Sequence, residues 1–100
     1  MEQIERIGYY EKLLNEAETV LKQYDAALEA YIGIQKKISE LDKYYSSEEW
    51  KKDFEASEKG KLPKDLLCGV LSEDGIDHML SDNLELYART RMIEQEVMKK

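Results

Sequence analysis

Residues 44–75, YYSSEEWKKDFEASEKGKLPKDLLCGVLSEDG, decide how this chain folds. They hold its only Trp, Phe, Pro and Cys, together with Gly60, Gly69 and Gly75 of its five glycines. Breakers and capping residues concentrated in one place mark a turn-rich junction, and a junction implies regular elements on both sides. Within it, Ser46 or Ser47 ends one helix and caps the next, with Ser46 and Glu49 at capping-box spacing. Trp50 and Phe54, one turn apart, share a face of a short helix running to about Ser57. Gly60 suits a left-handed stop, and Pro63 opens a further turn that Gly69 closes. Leu62, Leu66, Leu67, Val70 and Leu71 are dense enough to plug one end of a helical pair. Ser72 is the next N-cap, with Glu73 and Asp74 in the first turn, where carboxylates favour the positive helix end.

On the N-terminal side, Ile7, Tyr10, Leu14, Ala17, Leu21, Tyr24, Leu28 and Tyr31 alternate three and four residues apart. This is a heptad seam on a helix, with Ile7, Leu14, Leu21 and Leu28 at a-type sites. The phase slips after Tyr31, to Ile34, Ile38, Leu41 and Tyr45, and Gly33 lies in the slip, where a gentle bend is expected. Glu2 with Arg6, Glu18 with Lys22 and Glu40 with Lys43 are spaced as supporting pairs. On the C-terminal side Ile76, Met79, Leu80, Leu84, Tyr87, Ile93 and Val97 give a second helical stripe. The expected architecture is all-α and a single helical domain. Long helices at about 2–43 and 73–98 form an antiparallel pair, joined by a junction at 44–72 with one or two short helices. A 42-residue helix is roughly 60 Å long and outruns a return helix of roughly 39 Å, so part of its seam needs another cover.

The chain has 100 residues, with 22 acidic against 15 basic, a net charge of −7 and a charged share of 37%. The acids are spread along the chain and no segment is basic. Phosphate backbones and anionic membrane surfaces, which need clustered Lys and Arg, are therefore not expected partners. Cys68 is alone, which excludes an internal disulfide and points to a reducing compartment. The acidic opening MEQIERIGYY lacks the apolar run of a secretory signal, so a cytoplasmic location is expected.

The residues Tyr44, Tyr45, Ser47, Glu49, Trp50, Asp53, Phe54 and Glu55 match the pattern YYxSxEWxxDFE. Gly60, Leu62, Pro63, Asp65 and Leu66 match GxLPxDL, and Gly69, Val70, Leu71, Ser72, Glu73, Asp74 and Ile76 match GVLSEDxI. In these features the chain resembles a small bacterial domain-of-unknown-function family, and the looser match over the flanking helices covers nearly the whole chain. The resemblance implies no activity. Ser57 departs from it, where an acidic residue is expected.

Three constellations are candidates for function. Trp50, Asp53, Phe54, Glu55, Asp65, Ser72, Glu73 and Asp74 form a candidate partner surface, an aromatic wall with a carboxylate rim able to grip a cationic group. The same residues also read as end-caps and backbone satisfiers. Ile4, Ile7, Tyr10, Leu14, Leu21 and Tyr24 form a candidate oligomer seam. Asp74, His78 and Asp82, spaced i, i+4, i+8 on one helix face, could offer ligands to a divalent metal, but the three span too far for one ion, so at most two, such as Asp74 and His78, could act together. Cys68, in the apolar run LLCGVL, reads as a small buried hydrophobe. No phosphate loop, nucleophile elbow or HExxH occurs. The expectation is a non-enzymatic cytoplasmic helical module for protein–protein interaction or scaffolding, without a cofactor, acting on a protein partner and self-associating as a dimer. The alternatives are a small acidic regulator in a basic groove of a target, or a metal-binding protein using Asp74 and His78.

Overall fold

The computed structural model describes residues 2–99. Among them the fold is all-α: α1 (Gln3–Tyr45), α2 (Glu48–Glu58), a single 3₁₀ turn (Gly69–Leu71) and α3 (Gly75–Met98). The long–short–long order and the boundaries agree with the sequence pattern to within about two residues, the usual scatter at helix ends. No break occurs in α1 at Gly33. The contacts fall into two units, Met1–Lys36 and Lys37–Lys100.

The first unit is α1 up to Lys36. Every residue from 2 to 27 is exposed, including the seam positions Ile4, Ile7, Tyr10, Leu14, Leu21 and Tyr24. Tyr9 and Tyr10 meet edge to face at 5.1 Å. The exposed Thr19 hydroxyl donates back to the carbonyl of Asn15 at 2.9 Å, an i−4 bond within the helix.

The second unit holds the end of α1, then α2, the 3₁₀ turn and α3. The 3₁₀ turn touches both α2 and α3 and so links them. Its buried apolar side chains are Leu71 and Ile76, 7% and 3% exposed. The dense leucine run does not plug a helix pair as its composition suggests. Leu66, Leu67 and Val70 are exposed, Leu67 almost completely at 93%, and Leu62 is half-buried. The amide of Leu66 closes a turn on the carbonyl of Pro63 at 3.2 Å, and full burial is reached only at Leu71 and Ile76, beside and within the start of α3. Along α3, Leu84, Leu86, Tyr87, Met92, Ile93 and Val97 are exposed.

Local chemistry fixes the element ends. Ser47 caps α2: its Oγ accepts from the amide of Trp50 at 3.1 Å and donates to the carbonyl of Tyr44 at 2.6 Å. Trp50 thus occupies the third helical position, and Ser46 with Glu49 does not form the capping box. At the far end Gly60 has φ of +67°, its amide meets the carbonyl of Ser57, and the amide of Lys61 meets that of Ala56. That pair of bonds is a Schellman stop, with glycine in the left-handed position. Ser72 is not the N-cap of α3: that position is Asp74, whose side chain makes no capping bond, while Ser72 Oγ accepts from the amide of Gly75, the first residue of the helix, at 3.0 Å. The ion pair seen among the described residues is Lys51–Glu48 at 3.4 Å, on the surface; the three pairs suggested by spacing are not closed.

Candidate functional site

The junction is built around one aromatic column. Tyr45, Trp50 and Phe54 form it, with Tyr45 edge-on to Trp50 at 5.1 Å and Phe54 stacked on Trp50 at 5.2 Å and 16°. Helical spacing places Trp50 and Phe54 on one face of α2, and the end of α1 brings Tyr45 alongside. The indole Nε1–H of Trp50 donates to the carbonyl of Val70 at 2.9 Å, tying α2 to the 3₁₀ turn. The phenol of Tyr45 donates to the carbonyl of Glu73 at 3.3 Å, tying the end of α1 to the segment before α3.

The candidate surface residues therefore divide by what they already do. Trp50 and Phe54 are half-buried in the column. Asp53 accepts a 2.6 Å hydrogen bond from the Tyr44 hydroxyl. Ser72 is spent twice, donating to the carbonyl of Gly69 at 2.9 Å and accepting from Gly75. Glu55, Asp65, Glu73 and Asp74 are exposed, and they form no carboxylate hydrogen bond or ion pair among the described residues. The Trp50 wall exists, but its polar edge is engaged in holding the junction together.

The Tyr44–Asp53 bond has an electrostatic consequence. The Tyr44 phenol is pushed up to about 12, first because its proton is held by Asp53, then by burial and by the nearby negative charges of Asp53 and Glu49. Deprotonation would leave two anions facing each other across the bond. Tyr44 and Tyr45 are the residues that sequence reasoning left out of the candidate surface. Their place next to the helix end, just before the cap Ser47, was the signal that could have found them.

Beside the column lies a shallow apolar groove of about 230 Å³ lined by Leu41, Gly69, Val70, Gly75, Ile76 and Met79. Its floor is set by close backbone approach: a Cβ on Gly75 would sit 2.6 Å from Ser72 Oγ and 2.7 Å from the carbonyl oxygen of Gly69. The Cys68 thiol is half-buried rather than enclosed, with Sγ 3.4 Å from the carbonyl of Leu66. Among the described residues no three His, Cys, Asp or Glu side chains gather as a metal site, and none of the helices is long and apolar enough to cross a membrane.

No curated protein and no solved structure matches the chain. The family described as a domain of unknown function (DUF4298) matches over residues 7–94, which takes in the α1 seam, the aromatic column and most of α3. The chain belongs to that family.

Proposed function

We propose that this protein is a non-enzymatic helical module for protein–protein interaction, working in the cytoplasm, with the apolar stripe of α1 as its principal docking surface. The observation that supports this is the bareness of that helix. Ile7, Tyr10, Leu14 and Leu21 are 57%, 57%, 53% and 66% exposed, and nothing from residue 2 to residue 27 is even half-buried. Helices in proteins owe most of their stability to packing of an apolar face, so a seam of this length without cover calls for one. Full burial of one such side chain is worth about 1.5–3 kcal/mol before entropy is charged, so covering a few of them is enough to hold a partner. The half-buried free thiol of Cys68 fits a reducing compartment. A second copy of the chain, as the heptad seam suggests, or a different protein would each satisfy the stripe.

The test is face-specific photocrosslinking in cells. A benzophenone amino acid at Leu14 or Leu21 should give protein adducts, whereas the same group at Lys12 or Thr19, on the outer face, should give few. Equal yields from both faces would reject the proposal. A doubled adduct mass identifies a second copy.

A further inference from the structure

The bare stripe of α1 has two unlike shoulders. Four residues after Ile7, Leu14 and Leu21 come Glu11, Glu18 and Asp25, so one shoulder is acidic at three successive heptads of the seam. The other shoulder, the residues just before Ile7, Leu14, Leu21 and Leu28, is Arg6, Leu13, Val20 and Ala27, apolar except at its start. Lys12 lies on the opposite side of the helix, and Lys22 sits outside the acidic row rather than on the seam. All three acids are exposed and, among the described residues, none is held in an ion pair. The docking face is therefore an apolar strip of more than seam width with a row of negative charge along one border, and Lys22, one turn from both Glu18 and Asp25, lies on the outer side of that row.

That pattern discriminates between occupants. In an antiparallel pair of copies the same shoulders face each other, setting Glu18 against its own counterpart and Glu11 against the second Asp25. In a parallel pair Glu18 and Asp25 would lie against Leu13 and Val20 of the second copy, losing water without gaining a partner, and Glu11 alone would meet a cation, Arg6 of that copy. A helix carrying Lys or Arg on its flank instead pairs with every acid of the row while filling the apolar strip. Building on the interaction reading above, we infer that the occupant of the α1 face is an amphipathic helix of a different protein with a basic flank, recognised by Leu14 and Leu21 through its apolar side and by Glu11, Glu18 and Asp25 through its charges.

The full chain is titrated with two synthetic helices that share one leucine seam, one flanked by Lys and the other by Glu. The Lys-flanked helix should bind more tightly and weaken with salt. The triple variant Glu11→Gln, Glu18→Gln, Asp25→Asn should lose about tenfold in affinity for it, as three flanking pairs of modest individual worth would give. A control of equal charge change on the outer positions, Glu5→Gln, Glu16→Gln, Glu29→Gln, should lose less than about threefold, because screened charges off the interface contribute little. Equal losses from the two triples, or equal binding of the Glu-flanked helix, would overturn the basic-flank inference. The pair Leu14→Gln, Leu21→Gln keeps good helix formers in place and separates the two readings. If both peptides bind alike and this pair abolishes binding, docking on the stripe stands while the charge inference falls. If the pair leaves binding of the Lys-flanked helix intact, both fall.

Discussion

The hydroxyl of Tyr44 donates to Asp53 Oδ2 at 2.6 Å, spanning from the last turn of α1 to the middle of α2. Two helices that meet at a sharp turn are thereby fixed by a side-chain bond as well as by the Ser47 cap. The bond favours the neutral phenol, and so it makes the junction sensitive to alkali.

Tyr44 should ionise late, near pH 12 rather than at the ordinary phenol value of about 10. The folded-state value is raised, so its stabilising effect is complete below the ordinary phenol value. It is lost as pH climbs from about 10 to about 12. Ultraviolet titration of wild type against Tyr44→Phe should show the missing late transition. Asp53→Asn should bring the Tyr44 transition down, and a Tyr44 transition unchanged in Asp53→Asn would contradict the assignment.

Gly75→Ala should destabilise the second unit by about 1–3 kcal/mol, because the new methyl has no room beside Ser72 Oγ and the Gly69 carbonyl. Gly8→Ala and Gly33→Ala should act in the opposite sense, each stabilising by about 0.5–1 kcal/mol. Both lie inside α1 with open space where the methyl would go. Urea melts of the three variants give the signs directly. A neutral or stabilising Gly75→Ala would mean that the groove floor is looser than described.

Trp50→Phe keeps a ring in the aromatic column but removes the Nε1–H donor to Val70. The expected cost is about 1 kcal/mol, the usual net worth of one such bond. Thermal melts followed by far-ultraviolet circular dichroism are the appropriate readout, since the substitution also removes the only indole. No loss would show that the tie between α2 and the 3₁₀ turn is dispensable.

Ser47→Ala should cost about 1 kcal/mol through loss of the N-cap, while Ser46→Ala should be near neutral. The two serines are adjacent and chemically alike, so denaturant titration of both variants isolates the cap itself. Equal effects would place the start of α2 elsewhere.

Much of the fold could be read from local pattern. The helix that carries Ile7, Leu14, Leu21 and Leu28 and the stop at Gly60 are properties of a few neighbouring residues, and both took their expected form. Which apolar residues become buried is not local. Leu66, Leu67 and Val70 are as apolar as Leu71, and Val70 even shares its 3₁₀ turn, yet of these only Leu71 is buried. Likewise the bonds from Tyr45 to Glu73 and from Trp50 to Val70 join residues 28 and 20 positions apart, which spacing rules cannot pair. Within the candidate surface, helical spacing made the pairing of Trp50 with Phe54 legible, but not the hydrogen bonds of its polar members. The sequence shows Asp53 and Ser72 as polar groups near aromatics, and the structure shows their hydrogen bonds spent within the junction.

An interior made of Leu71 and Ile76 leaves little apolar area to be returned to water when the chain melts. The heat-capacity increment of unfolding scales with that area, so calorimetry of the free chain should give a small increment and a broad endotherm. Cooperativity would then be acquired on assembly, and the sharpness of the melt becomes a gauge of occupancy on the stripe.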